Sequence, residues 1–129
     1  EWFKMTKSDF EENDFYKIYI DFPRDRLIKR ISGRVIMMFK KGAIKEVNKF
    51  IKLKVPNAKP ANKAIGISEI SDYLNKKLQK VQVIEKISIK TRQYAKRQAT
   101  WARGNMIDWK KIGPDDLNKF LKKIYISRT

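Results

Sequence analysis

The 129-residue chain carries 31 Lys+Arg against 14 Asp+Glu, a formal net charge of +17, and such an excess indicates a polyanionic partner. Its apolar fraction of 42% is sufficient for a packed core and argues against disorder. Cysteine and histidine are both absent from the sequence, which excludes disulfides, a thiolate nucleophile, an imidazole base and an ordinary zinc site. Because no apolar run could span a bilayer and no signal-peptide pattern is present, we expect a cytoplasmic protein without membrane contact.

The N-terminal part of the chain combines acidic residues with one predicted strand. Residues 1–7 are predicted to end a helix that packs by Trp2 and Phe3, and residues 8–14 to form an acidic loop. Residues 15–22, with the sequence FYKIYIDF, are aromatic and β-branched, which predicts a central strand that is mostly covered. Because the chain opens on Glu rather than Met, in what looks like the end of an element, we expect it to be part of a longer protein.

Helical periodicity dominates the middle of the chain. Residues 24–41 and 43–54 predict two helices separated by a glycine stop at Gly42, and residues 55–62, with two prolines, predict a loop. Ser68 is the predicted N-cap of a short third helix. The residues expected to face inward on these helices are Leu27, Ile28, Ile31, Val35 and Met38, then Ile44, Val47, Phe50 and Ile51, then Ile70, Tyr73 and Leu74.

A long basic helix is predicted from Val81 to a glycine stop at Gly104. Its cations form two rows about 120° apart around the axis, beside one face of apolar and small side chains. Residues 106–109 predict a short strand, and Pro114 opens a last helix that carries an apolar stripe. The predicted packing face of the long helix comprises Ile84, Ile87, Thr91, Tyr94, Ala95, Gln98, Trp101 and Ala102.

The end of this long helix carries the sequence TRQYAKRQATWARG at residues 91–104. It resembles the C-terminal signature of the tRNA dimethylallyltransferases, Thr-Arg-x-Tyr/Leu-Ala-Lys-Arg-Gln-x-Thr-Trp-x-Arg, and Ala102 departs from the large apolar residue usual at its position. The pattern is long and contains a rare tryptophan, so chance is a poor explanation for the agreement. The resemblance covers about residues 2–109, and the matching signature positions are Thr91, Arg92, Tyr94, Ala95, Lys96, Arg97, Gln98, Thr100, Trp101 and Arg103.

Residues 30–35 resemble the family's Arg-Ile-x-x-Arg-Val pattern. The resemblance implies that Arg34 binds the diphosphate of the isoprenoid donor. A guanidinium suits that role, because it is permanently charged and binds phosphate oxygens in a bidentate manner. Taken without the resemblance, a row of arginines on a helix edge is more typical of a solvated or salt-bridged surface.

A short turn resembles the family's tRNA-contacting sequence Ala-Ile-Gly-Tyr-Lys/Arg-Glu. Gly66 and Glu69 match it, whereas Ile67 and Ser68 replace the tyrosine and the basic residue. The resemblance implies a tRNA contact at Gly66, and we expect Lys63, just upstream, to compensate for the missing cation by contacting tRNA. The alternative is a glycine that only provides a tight turn before a capped helix.

The family resemblance also implies the fold class and the division of the chain. The expected fold is α/β, the mostly helical C-terminal portion of one P-loop NTPase-like transferase domain, with strands near residues 15–22 and 106–109. Residues 1–14 would end an insertion region, and residues 15–129 would supply core elements and the tRNA-binding helix. The sequence contains no Gly-rich P-loop and no aspartate in the family's general-base context, so we expect no catalytic or metal-binding residue here and no activity of this chain alone.

For the whole enzyme, the resemblance implies transfer of a dimethylallyl group from dimethylallyl diphosphate to the exocyclic amine of the adenine beside the tRNA anticodon. Mg²⁺ would be bound by the absent N-terminal half, and the full-length protein would be a monomer. The residues expected to hold the tRNA anticodon stem-loop are Lys63, Gly66, Lys96, Arg97, Gln98, Thr100, Trp101 and Arg103, with Trp101 equally compatible with a place in the core.

Two alternative functions stay open at the level of sequence. The first is an adenylate isopentenyltransferase, which uses a free nucleotide as acceptor, although a net charge of +17 argues against so small a partner. The second is a non-catalytic basic RNA-binding module, which the missing P-loop favours. The dependence of binding on salt concentration separates them, because each phosphate contact releases counterions.

Overall fold

A computed structural model describes residues 9–126 of the chain. The predicted helix end at residues 1–7, with Trp2 and Phe3, therefore lies outside the described residues. The chain divides into two compact units. One comprises Pro23–Gly104, and the other combines the segments before and after it. The assignment of the whole chain to one domain stays a prediction.

Helices build the unit Pro23–Gly104. They are α1 (Arg24–Lys40), α2 (Ala43–Lys52), α3 (Ile67–Leu74) and α4 (Lys80–Asn105), which extends one residue beyond the unit, and a 3-10 turn at Pro60–Lys63 precedes α3. The predicted first helix is confirmed, and the predicted second helix ends two residues early. Gly42 separates them at φ +102°, as the sequence predicts, because a glycine adopts this left-handed conformation without a steric penalty.

The start of α3 differs from the prediction. Gly66, at φ +109°, is the N-cap residue, and Ser68 lies exposed within the first turn instead of capping the helix. The Glu69 carboxylate accepts a hydrogen bond of 2.9 Å from the Gly66 N–H and so closes the turn two residues earlier than a Ser68 cap would.

Apolar side chains from α1, α2, α3 and α4 share one core. The prediction is wrong for Ile51, which is 42% exposed because it lies in the last turn of α2, outside the core cluster. Phe39 is buried although the sequence stripe omits it. The buried members of the cluster are Ile31, Val35, Phe39, Ala43, Val47, Ile70, Val83 and Ile87.

Helix α4 packs into this core by its N-terminal half. Val83 and Ile87 are almost fully buried, and the cluster extends along the helix as far as Ala95. Towards the C-terminal end the predicted packing face is wrong for Tyr94 and Trp101, which are 49% and 58% exposed, and for the exposed Gln98, whereas Ala102 is buried as predicted. Gly104 is not the predicted stop, because it keeps helical geometry and the helix continues to Asn105.

A small parallel sheet belongs to the second unit. Strand β1 (Ile18–Ile20) pairs with β2 (Lys110–Ile112), and Ile18 lies opposite Lys110. The predicted strand at residues 15–22 is therefore too long. The expectation that it is mostly covered is also wrong for Phe15 and Tyr16, which are more than half exposed because they precede the paired residues.

The predicted strand at residues 106–109 is wrong as well. These residues form a turn, in which the Trp109 N–H donates to the Met106 carbonyl at 3.3 Å. Pairing begins only at the next residue, where the Lys110 N–H donates to the Lys17 carbonyl at 2.9 Å. The last helix, α5 (Leu117–Ile126), follows Pro114 as predicted.

The described chain is thus mostly helical with one small parallel sheet, which confirms the α/β prediction in its general form. Within residues 9–126, we find no helix that combines the length and the apolar character needed to cross a membrane.

Candidate nucleic-acid interface

The net charge of the chain is concentrated in one unit. Pro23–Gly104 contains 22 of the 31 Lys+Arg residues but only five of the 14 Asp+Glu residues, a net +17. The remaining segments carry nine of each sign and are neutral overall. A polyanion is therefore attracted to the helical unit, because the summed charge of a surface steers an oppositely charged partner.

The C-terminal turns of α4 present the predicted tRNA-binding side chains to solvent. Lys96, Arg97, Gln98, Thr100, Trp101 and Arg103 are all exposed. Three of them share one side of the helix at steps of four and three residues, namely Lys96, Thr100 and Arg103. An Arg103 guanidinium nitrogen donates to the Thr100 hydroxyl oxygen at 3.3 Å, which links the last two members of this row.

An aromatic row lies beside this basic row. The Arg97 guanidinium carbon is 5.8 Å from the centroid of the Tyr94 ring, a cation–π distance, and Trp101 follows one turn later on the same side of the helix. Helical periodicity predicts Tyr94 on the packing face and does not predict this arrangement. Its signal was the three-residue spacing from Tyr94 to Arg97, which brings a ring and a guanidinium together on a helix.

The Gly66 turn lies between α1 and α4. A Cβ at Gly66 would be 3.7 Å from Ile87 Cδ1 and 3.8 Å from Met38 Cε, so the turn is held against both helices. Gly66 itself is buried, and Lys63 is exposed at the end of the preceding 3-10 turn. The positive φ of Gly66 gives a conformational reason for the glycine that is independent of any tRNA contact.

Glu69 joins the Gly66 turn to α4 and was missed as a site residue. Its carboxylate is only 4% exposed, accepts the hydrogen bond from Gly66 and forms an ion pair with the ammonium of Lys90. Burial opposes ionisation, but the hydrogen bonds from Lys90 and from the Glu69 and Gly66 amides, with the charge of Lys90, lower the pKa of Glu69 below its ordinary value. The carboxylate therefore stays charged at neutral pH. Its sequence signal was its place three residues after the glycine N-cap.

The predicted donor-phosphate residue lies on α1, the helix that borders the Gly66 turn. Arg34 is exposed on α1, one helical turn before Met38, which borders the Gly66 turn. The cations from Lys96 to Arg103 begin nine residues after Ile87, hence about 14 to 24 Å further along the α4 axis. The structure thus places Arg34 on the helix that borders the Gly66 turn, and the cations at the end of α4 on a different part of the helical unit.

Metal binding finds no support among the described residues. Within residues 9–126, no three Asp, Glu, His or Cys side chains lie close enough together to hold a metal ion. The family resemblance assigns Mg²⁺ to the N-terminal half of the enzyme, outside these residues, and that assignment stays a prediction.

A basic helical unit with an exposed row of cations and aromatic rings, in a chain that also contains a small parallel sheet, is the pattern expected of an α/β protein that binds a polyanion. The comparison with known families makes this specific. The model of the IPP transferase family matches residues 1–105. The chain belongs to the IPP transferase family, as the signature at residues 91–104 predicts.

Similar proteins are named for tRNA modification. The tRNA dimethylallyltransferase of Pelagibacter ubique is 48% identical over 124 residues, covering 96% of this chain and 40% of the relative. That of Phenylobacterium zucineum is 35% identical over 103 residues, covering 80% and 34%. The chain thus spans two fifths or less of these curated relatives.

Two solved structures share the fold. A tRNA delta(2)-isopentenylpyrophosphate transferase from Staphylococcus epidermidis gives a TM-score of 0.77 at 28% identity, covering 88% of this chain and 38% of that one. The full-length tRNA isopentenylpyrophosphate transferase from Bacillus halodurans gives 0.74 at 30% identity, covering 98% and 42%.

Proposed function

We propose that this chain is the tRNA-binding and donor-phosphate part of a tRNA dimethylallyltransferase. The whole enzyme transfers a dimethylallyl group from dimethylallyl diphosphate to the exocyclic amine of the adenine beside the anticodon, and diphosphate leaves. The observation that carries this proposal is the exposed row of cations and aromatic rings at the end of α4, in a chain of the IPP transferase family. Unpaired loop bases suit such a row, because they stack on rings and guanidinium planes.

The residues divide between the two substrates. Lys96, Arg97 and Arg103 would contact tRNA phosphates, and Gln98 and Trp101 would lie nearer the bases of the anticodon stem-loop. Arg34, on α1, would bind the donor diphosphate with its guanidinium. The remaining proposed tRNA contacts are Lys63, Gly66 and Thr100.

The parallel pair β1–β2 would belong to the larger sheet of a P-loop NTPase-like domain. Parallel sheets are normally covered on both faces, and the exposure of Phe15 and Tyr16 supports further cover from the rest of the protein. The P-loop, the general base and the magnesium ligands would lie outside these 129 residues. We therefore expect tRNA prenylation by the full-length protein, and its detection with the 129-residue chain alone would contradict this division.

The experiment that tests the proposal compares two double variants of the full-length protein. Lys96→Ala/Arg97→Ala should weaken tRNA binding and reduce the log–log salt slope by about 0.7 to 0.9 for each lost phosphate contact, with folding unchanged. The matched control is Lys45→Ala/Lys49→Ala, which removes two exposed cations from α2. If both double variants weaken tRNA binding equally, the binding depends on overall positive charge and not on the assigned site, which would contradict the proposal.

The wild-type protein separates the alternatives. Steep salt dependence with tRNA prenylation supports the proposal, whereas salt-insensitive binding of free AMP would favour an adenylate isopentenyltransferase. Because the proposed substrate is tRNA, we also propose that the protein is cytoplasmic, which cell fractionation checks. From the family resemblance we propose that the full-length protein is a monomer, which sedimentation checks.

A further inference from the structure

Glu69, on α3, contacts both the Gly66 turn and α4. Its two carboxylate oxygens have different partners: Oε2 accepts from the Gly66 N–H at 2.9 Å, and Oε1 is paired with the Lys90 ammonium. The residue is 4% exposed, although five of its near neighbours in sequence, from Ile65 to Asp72, are more exposed. A buried carboxylate with both oxygens engaged is fixed in position, because leaving either partner unpaired would be costly.

Each partner of Glu69 leads to a different part of the proposed interface. Gly66 is the N-cap of α3, and a Cβ at this position would lie 3.8 Å from Met38 Cε of α1, one turn from Arg34. Lys90 lies on α4, six residues before Lys96, so it belongs to the same continuous helix as the signature cations. The carboxylate therefore links the turn to the helix, beside the apolar contact with Ile87.

Resting on the proposed function, we infer that Glu69 is a positioning residue for tRNA: it fixes the Gly66 turn against α4 so that the turn and the signature helix engage one RNA together. Glu69 itself contacts no phosphate. Lys90 is its counter-ion, so the positive charge of that lysine pairs with Glu69 within the protein.

If Glu69 positions the turn, removing its charge should change the affinity for tRNA in the direction opposite to that expected from charge alone. Removing an acid from a surface that binds RNA reduces repulsion and should strengthen tRNA binding. If Glu69 instead positions the turn, its removal weakens tRNA binding although the protein becomes more positive. The sign of the change therefore discriminates between the two explanations.

The test uses the full-length protein with Glu69→Gln, which keeps the size of the side chain and an acceptor for Gly66 but loses the ion pair with Lys90. We expect the KM for tRNA to rise by about tenfold, with kcat and the KM for dimethylallyl diphosphate unchanged. Amide hydrogen exchange at Gly66 should become faster than in the wild-type protein, and by a larger factor than exchange of the buried Val35 amide in α1, which follows global stability.

The matched control is Glu85→Gln on the exposed side of α4, which removes the same charge without a buried partner. It should leave the KM for tRNA unchanged or slightly lower. Lys90→Arg, which retains the cation, should stay close to wild type.

Two results would overturn the positioning role. One is an unchanged or lowered KM for tRNA in Glu69→Gln. The other is a loss of kcat at constant KM, which would show a reduced fraction of folded enzyme and a structural role only. Failure of the wild-type protein to prenylate tRNA would instead refute the proposed function, so the two failures are distinguishable.

Discussion

Glu69 makes the stability of the fold depend on pH in a defined direction. Its pKa in the folded protein lies below the ordinary value of 4.5, because the partners that favour the charged form outweigh burial. A carboxyl with a depressed folded pKa stabilises the protein above its unfolded pKa, and that contribution is lost as pH falls through the folded value.

We therefore expect Glu69→Gln to lower the free energy of unfolding by about 1 to 3 kcal/mol at pH 7. The difference from wild type should shrink below pH 4.5, where the wild-type carboxyl becomes protonated. Urea unfolding of both proteins between pH 7 and pH 3 measures it. A difference of the same size at pH 3 would show that the charge of Glu69 is not what stabilises the fold.

Gly66 is required by its backbone conformation. At φ +109° a side chain is strained, so Gly66→Ala should destabilise the protein by about 1 to 3 kcal/mol. Gly33 provides the control, because it lies in the interior of α1 with open space around its Cβ position. Gly33→Ala should be neutral or stabilising by up to about 1 kcal/mol. Thermal unfolding of the two variants checks the contrast, and equal melting temperatures would contradict it.

The structural role of an individual residue can be predicted from the sequence where local chemistry determines the backbone conformation. Gly42 is an example, since a glycine after a helix with lysines in its last turn is a strong stop signal. Ser68 shows the limit: its residue type favours an N-cap, but the hydrogen bond between Glu69 and Gly66 determines the cap. Glu69 was missed because an isolated acid in a basic sequence is normally solvated, and its burial depends on α4, which is distant in sequence.

Helix α4 packs into the core by its N-terminal half and exposes most of its C-terminal turns, where we propose that tRNA binds. Ile87 is 2% exposed in the N-terminal half, and Ile87→Ala should destabilise the protein by about 2 to 5 kcal/mol. Val81, on the same helix, is 74% exposed, and Val81→Ala should change stability by less than about 0.5 kcal/mol. Chemical denaturation measures both, and comparable losses would mean that this half of α4 is packed differently.

Periodicity in the sequence predicted α4 and half of its packing. It identifies residues that share a face, which is why Ile84 and Ile87 were assigned correctly to the core. It does not identify what covers that face, so Trp101 was predicted on a packing surface that the core cluster does not reach. The strand at Lys110–Ile112 was predicted too early for a related reason: its register depends on pairing with β1, which no local pattern encodes.

For the whole molecule, the separation of charge predicts where an RNA will lie. Lysines of Pro23–Gly104 carry the attraction, whereas the second unit is neutral overall. On addition of tRNA, acetylation of Lys63 and Lys96 should fall at least about threefold, and that of Lys110 and Lys119 should stay the same. This follows because the phosphates of a bound RNA cover the lysine side chains that they contact and so shield them from acetylation. Mass spectrometry of acetylated lysines measures the pattern, and protection spread evenly over all four would contradict it.

The pairing of Ile18 with Lys110 also has a consequence for synthesis. The ribosome must add 92 further residues before the partner of β1 exists, which takes roughly 5 to 18 seconds at common elongation rates. All of Pro23–Gly104 is made in that interval, so its helices are able to fold first through contacts local to their own unit. During that interval the sequence Ile-Tyr-Ile lacks its pairing partner β2. We expect the charges of Lys17 and Asp21 at its two ends to limit self-association of the nascent chain.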